Sequence, residues 1–349
     1  MTITHTSSDT ASTGRGGGED DPRFPPHPFP IGWFQMAYSS DVAPGEVKPL
    51  HYLGRDLVLW RSEEGVAHVM DAHCAHLGAN LAVGGTVEGD SIRCPFHAWR
   101  YDGTGVCVEI PYSDRIHPKA RVRSHPVIER NGFVMLWWHP LGEPPQWELP
   151  TLPEYESDGW TEYRRHEWSV ATHWQEVLEN AVDTSHFHYM HGTELVPTIS
   201  DFEVGGPVLR VNASHIFRTP MGPKPGFIDT HMYGPGWGTV RIRIEGLTEI
   251  LFPQAMTPVD VGRLHMTFSF MAKGRGARAR VGNGLSTEII TQIDADAPIW
   301  EHKLFRPVPR LADGDGPVMA FRRWAEMFYT PENLERMERP SRRDSMVSA

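Results

Sequence analysis

The chain has 349 residues, 40% of them hydrophobic, with 33 Lys and Arg against 44 Asp and Glu and a formal net charge of −11. That length suffices for two modest domains with their own apolar cores, and the acidic balance excludes the basic surface that grips nucleic acid or an acidic membrane. Three cysteines are too few for a disulfide framework and read better as intracellular metal ligands, a prior that the 19 histidines strengthen slightly.

In chain order, residues 1–22 are mostly Ser, Thr, Gly and acidic groups, so a disordered tail is expected. This segment lacks the apolar core of a signal peptide, and no apolar run is long enough to span a bilayer. A cytoplasmic location and no membrane span are therefore expected. From Trp33 to Trp138, short β-rich runs (LVLWR, VAHVMDAHC, and GFVMLWW after Asn131-Gly132) are broken by Gly and Asp, which predicts a small all-β domain over residues 23–150. HPLGEPPQWELPTLPEY, residues 139–155, suits a stiff connector rather than a packed element and puts the boundary near residue 150.

A second domain is expected over residues 151–335. Thr172-His173-Trp174-Gln175 has capping-box spacing, and Trp174, Val177, Leu178, Ala181 and Val182 recur at helical intervals, predicting an amphipathic helix that runs towards His191. TVRIRIEG and RLHMTFSFMAK alternate as strands of a half-buried antiparallel sheet do. LSTEIITQIDADAPIWEHK, interrupted at Pro298, and PVMAFRRWAEMFY predict two closing helices, with a polar tail after Pro331 that covers residues 336–349. The fold class is thus α+β, without internal repeats or heptads.

Two constellations carry chemistry. Cys74, His76, Cys94 and His97 form C-x-H-x17-C-x2-H, two Cys–His pairs on separate loops. Two thiolates and two imidazoles suit a [2Fe–2S] cluster, and replacing two thiolates by histidines makes it less negative and easier to reduce. Gly78, Gly84 and Gly85 would let the backbone turn around it, while Pro95 and Phe96 would help exclude water. A tetrahedral zinc site uses the same ligand chemistry, but zinc fingers order their ligands Cys, Cys, His, His; the order here is that of a Rieske domain. Cys107 has no histidine at a comparable offset and reads as a buried structural thiol.

The second set lies in ENAVDTSHFHYMH, where Asp183, His186 and His191 read D-x2-H-x4-H. Asp183 and His186 would share a helix face, with His191 converging past a bend. Two histidines and a carboxylate, bound facially, hold Fe(II) with open positions for O2 and substrate. The carboxylate is either Asp183 or a distant residue, Asp296 or Asp294 in QIDADAPIW; in the latter case Asp183 orients the imidazole. His173 and His188 fit no ligand spacing and read as structural or pocket groups.

With both motifs in place, residues 30–330 resemble the oxygenase component of Rieske non-heme iron oxygenases, closest to the 3-ketosteroid 9α-hydroxylases and the Rieske cholesterol 7-desaturases. DAHCAHLGANLAVGG is similar to the desaturases; CPFHAWRYDGTGVCVEIPY and DGDGPVMAFRRWAEMFY are similar to both. The hydroxylase pattern places the carboxylate ligand at Asp296, with Asp294 as runner-up. The resemblance implies a β-sandwich Rieske domain followed by a helix-grip (START-like) catalytic domain, in which an antiparallel sheet wraps a long helix. It also implies a homotrimer in which Asp183 bridges His186 to His97 of the partner subunit and so carries electron transfer. Asn180 matches a residue often near the iron, though a helix-surface amide is an equal reading.

The implied function is a terminal monooxygenase or desaturase of steroid metabolism: O2-dependent oxidation of a small apolar, steroid or sterol substrate. Electrons come from a ferredoxin or flavin reductase, and NAD(P)H acts only through it, because no Gly-rich dinucleotide fingerprint follows any predicted strand. The alternatives are a Rieske monooxygenase or dealkylase of a non-steroid aromatic or natural product, a Rieske electron carrier without catalysis, and a lipid-binding helix-grip protein with zinc at the Cys/His site.

Overall fold

The structure, a computed structural model, describes residues 29–330. The expected tails, 1–22 and 336–349, lie outside the described residues. Packing divides the chain into two units, residues 32–151 and residues 152–330 together with 29–31, and the backbone N–H of Ile31 donates to Phe328 in the second. Among the described residues no helix is long and apolar enough to cross a membrane.

The first unit is built of three antiparallel sheets. β1 (Gly32–Tyr38) pairs with β11 (Phe133–Trp138), which pairs with β10 (Val127–Arg130). β2 (Val47–Tyr52), β3 (Arg55–Arg61), β4 (Ala67–Asp71) and β9 (Ser124–His125) form the second in that order, and β5 (Thr86–Glu88), β6 (Ser91–Arg93), β7 (Arg100–Asp102) and β8 (Cys107–Glu109) the third. Every residue of β11 is buried, as a central strand with both faces covered requires. Asn131-Gly132 turns β10 into β11 with φ of 55° and 79°, the paired positive values of the hairpin turn that Asn-Gly favours.

The Pro-rich segment departs from the expected stiff connector in that it packs. Trp147 packs edge-on against Trp137 at 4.6 Å, its carbonyl accepts from Trp33 Nε1 at 2.9 Å, and Leu149 is buried. Two large apolar side chains are enough to dock a segment whose prolines already limit its entropy.

In the second unit a single sheet runs β12-β18-β17-β16-β15-β14-β13, every neighbour antiparallel: β12 (Arg164–Val170), β13 (Thr198–Gly205), β14 (Val208–Phe217), β15 (Lys224–Tyr233), β16 (Trp237–Ile244), β17 (Thr248–Asp260) and β18 (Arg263–Ala272). The helix α3 (Ala277–His302) lies against β12, β17 and β18, and Ile289 and Ile290 join Phe252, Phe268 and Phe270 in one core. Its close seat depends on Gly282, where a Cβ would fall 2.5 Å from that of Ala272. α3 starts well before Leu285 and is not interrupted at Pro298. A proline this near the C-terminus removes one backbone bond, and Trp300, buried just beyond it, anchors the last turn.

The expected helix towards His191 is two: α1 (Trp174–Glu179) and α2 (Ser185–Tyr189). Tertiary packing overrides the periodicity between them: Val182 is fully buried, and Gly316 passes so near that a Cβ on it would fall 1.9 Å from the Val182 carbonyl oxygen. The capping box does not form either. His173 is the N-cap, its Nδ1 accepting from the Gln175 N–H, while Thr172 Oγ1 is buried without a partner. The last helix, α4 (Val318–Glu326), meets α1 through Arg322, whose guanidinium grips both oxygens of Glu179 at 2.7 and 3.0 Å.

Candidate functional site

In the first unit, two loops present Cys74, His76, Cys94 and His97, one after β4 and one after β6, and they are near copies of each other. Each cysteine N–H donates five residues on, Cys74 to Ala79 O and Cys94 to Trp99 O, and each cysteine carbonyl accepts four residues on, from Gly78 and Ala98. The fourth residue must then take a left-handed conformation, φ 75° at Gly78 and 59° at Ala98. Glycine adopts it freely, whereas alanine does so at a cost of about 1 kcal/mol. Both cysteines are buried and both histidines half-buried, with the two imidazoles 4.8 Å apart.

Other side chains complete the surroundings. Trp99 stacks flat on His76 at 4.5 Å and 4°. Burial, reinforced by Cys74, holds the Tyr101 hydroxyl well above its ordinary pKa; it lies 3.1 Å from Cys74 Sγ and would be the donor to that sulfur as a thiolate ligand. Burial also pushes the Cys94 thiol up, while the N–H groups of Phe96 and His97 pull it down. Phe96 covers the His97 ring at 3.8 Å but is 62% exposed, so it dries one side of the site only. His76 Nδ1 is enclosed and has no hydrogen-bond partner. An orphaned imidazole nitrogen beside two sulfurs is a donor set that fits an iron–sulfur cluster.

In the second unit, His186 stands on α2, His191 just beyond it and Asp296 on α3. One ligand atom of each lies within 4.8 Å of the others. His191 Nε2 is 3.2 Å from Asp296 Oδ1, and the other carboxylate oxygen accepts from Asn180 Nδ2 at 3.1 Å. Asn180 Oδ1 in turn accepts from Trp300 Nε1 at 3.4 Å. His186 Nδ1 faces the backbone carbonyl of Asp183. A carbonyl only accepts, so Nδ1 carries the proton and Nε2 keeps its lone pair. Burial lowers the His186 pKa against the pull of Asp296, so the ring is neutral as a ligand must be. A buried carboxylate opposite two imidazole nitrogens fits a divalent cation.

The remaining sequence candidates fall elsewhere. Asp294, two residues from Asp296, points to the other side of α3 and accepts from Trp168 Nε1 at 2.8 Å. Asp183 lies in the turn before α2 rather than on a helix face shared with His186, and touches that ring through its main chain. His188 Nδ1 donates to Thr193 O, and His173 caps α1. Cys107 is buried and free. Trp99, Tyr101 and Trp300 were not singled out from the sequence, where an aromatic residue beside a ligand looks like any core residue.

The His186, His191 and Asp296 set opens into a cavity of about 920 Å³ between α3 and the sheet, near the top of the ~300–1,000 Å³ range of small-molecule sites. Ile228, Val240, Ile242, Phe252, Phe268 and Ile289 are among its lining residues.

A Rieske [2Fe-2S] domain description matches residues 32–126, and a 3-ketosteroid 9alpha-hydroxylase C-terminal domain description matches residues 136–329. A cholesterol 7-desaturase of Ciona intestinalis is 34% identical over 89% of this chain and 71% of its own. A 3-ketosteroid-9-alpha-monooxygenase oxygenase component of Rhodococcus rhodochrous is 31% identical over 91% of this chain and 90% of its own. The solved structure of dicamba monooxygenase bound to dicamba shares the fold, with a TM-score of 0.70 at 19% identity over 88% of this chain and 98% of that one. The chain belongs to the Rieske oxygenases, as an oxygenase component of the group that holds 3-ketosteroid 9α-hydroxylases and cholesterol 7-desaturases.

Proposed function

We propose that the protein oxidises a steroid or sterol C–H bond with O2, by hydroxylation or desaturation, using electrons from a separate ferredoxin or flavin reductase. The observation that carries this reading is the set of half-buried His186 and His191 and buried Asp296 opening onto a large apolar cavity. Cys74, His76, Cys94 and His97 would hold a [2Fe–2S] cluster, and His186, His191 and Asp296 a mononuclear Fe(II). When bound, the cluster supplies single electrons and the Fe(II) activates O2.

The chain's own residues do the positioning. Asn180 fixes the Asp296 carboxylate, the Asp183 carbonyl fixes the His186 tautomer, and the aliphatic floor of the cavity excludes water while it turns one C–H bond towards the ligand set. The same proposal takes the working form to be a cytoplasmic homotrimer in which Asp183 carries electrons towards His186. Sizing by light scattering reads the oligomer, and Asp183→Asn with slowed electron delivery and unchanged iron content reads the relay. The direct test of function is mass-spectrometric product analysis with a steroid panel, O2, NADH and a reconstituted reductase. Conversion of non-steroid aromatics alone would favour a dealkylase instead.

A further inference from the structure

The cavity floor is part of a grid of cross-strand rows on one face of the sheet. Directly paired residues share a face of the sheet, and two successive rows, Val211-Thr230-Val240-Phe252 and Ala213-Ile228-Ile242-Ile250, are apolar apart from one threonine. The next row is His215-Gly226-Ile244-Thr248, with a polar residue at each end. Both are more than nine-tenths buried, both line the cavity, and both have an enclosed polar atom without a partner, Nδ1 of His215 and Oγ1 of Thr248.

The two differ in what they face. Thr248 Oγ1 sits 3.3 Å from where a Cβ on Gly282 would be, so it is tucked under the backbone of α3. Gln254, another polar lining residue, already donates to Met232 Sδ at 3.1 Å. His215 faces aromatic rings: Phe217 edge-on at 4.6 Å and Phe187 at 6.4 Å. Phe187 is in turn 4.3 Å from the His186 ring, so a single phenyl separates His215 from the ligand set.

We infer that His215 is the specificity-determining group that holds an oxygen of the substrate, a hydroxyl or ketone on an apolar polycycle, and so selects which carbon faces His186, His191 and Asp296. This deepens the proposed function and rests on it. Protein closes in Nδ1 of His215, so Nε2, which makes no hydrogen bond to the chain, is the ring nitrogen left to the cavity; it costs free energy unless the occupant pairs with it, and a pure hydrocarbon does not. Burial keeps the ring neutral by lowering its pKa, which suits an uncharged oxygen and disfavours a carboxylate. Either tautomer serves a hydroxyl, and the N–H serves a ketone. With one phenyl between His215 and His186, the held oxygen lies a ring or two from the oxidised carbon.

The test is equilibrium binding to the full-length, iron-loaded protein of two matched pairs delivered from cyclodextrin: cholesterol with cholest-5-ene, and cholest-4-en-3-one with cholest-4-ene. Wild-type protein should prefer the oxygenated member of at least one pair by about tenfold. His215→Phe, which keeps a ring, should abolish that preference by weakening the oxygenated member alone; His215→Gln should restore part of it. His215→Leu gives a second route should the Phe variant fail to fold. A wild type that prefers neither oxygenated member, or a preference that survives both His215→Phe and His215→Leu, overturns the inference. Because the readout is binding, a protein that shows this preference yet turns nothing over contradicts the oxygenase reading and not the role of His215.

Discussion

Asn180 donates its amide to the Asp296 carboxylate at 3.1 Å, across 116 residues of chain, and Trp300 donates to the Asn180 carbonyl oxygen at 3.4 Å. Asn180 caps the C-terminus of α1, and the Arg322–Glu179 ion pair fixes that terminus one residue earlier. The Asp296 carboxylate is therefore oriented by a helix end that a buried charge pair holds in place.

Asn180→Leu should weaken the mononuclear site by roughly 10- to 100-fold in Fe(II) affinity, the usual cost of losing a group that orients a ligand. Iron titration of the apoprotein measures it. The cluster's visible spectrum should not change, since Asn180 does not lie on the Cys74 and Cys94 loops.

His186→Ala should abolish turnover and lower iron by about one atom per chain while the [2Fe–2S] absorption persists. Loss of that absorption in the variant would contradict the assignment of two separate sites.

Tyr101→Phe removes the hydroxyl that lies 3.1 Å from Cys74 Sγ and would donate to that sulfur as a cluster thiolate. Hydrogen bonds to cluster sulfurs stabilise the reduced, more negative state, so the midpoint potential should fall by roughly tens of millivolts. Redox titration by visible circular dichroism gives the shift. An unchanged potential would mean that the hydroxyl does not reach a cluster ligand.

In the first unit, Arg61 pairs with both oxygens of Glu129 at 2.7 and 2.8 Å and also donates to the carbonyls of Ser39, Val42 and Gly65. The Arg61 guanidinium, outweighing burial, holds the Glu129 carboxyl below its ordinary value of 4.5. A carboxyl lowered by folding adds stability above its unfolded pKa, and that stability disappears as the pH drops through the folded one. Glu129→Gln should cost about 1–2 kcal/mol at pH 7, given that the Glu129 side chain is 33% exposed and partly screened. The gap to wild type should close as the pH falls below 4.5, and paired denaturant melts at pH 7 and pH 4 check the sign.

The spacing of the candidate ligands was legible in the sequence because metal geometry constrains residue type and offset together: C-x-H and C-x2-H each fit within one tight loop. The alternating runs of β16 and β18 were readable for a similar reason, since one face is buried along their whole length. What escaped was tertiary. The break between α1 and α2 falls where Gly316, more than 130 residues beyond Val182, comes close to the chain, and nothing local to ENAVDTSH announces that approach. Trp147 in a Pro-rich stretch looked like a connector because its partners Trp33 and Trp137 lie on other strands. Spacing alone left Asp183, Asp294 and Asp296 as rivals for the carboxylate. Burial and partner geometry are what distinguish them, with Asp296 enclosed beside His191 and Asp294 on the exposed side of α3.

The most direct measurement is metal quantitation with electron paramagnetic resonance on protein purified anaerobically. About three irons per chain, with a rhombic signal that emerges on one-electron reduction, is the expected result. A colourless protein that holds zinc in place of iron and stays silent after reduction would contradict the two iron sites.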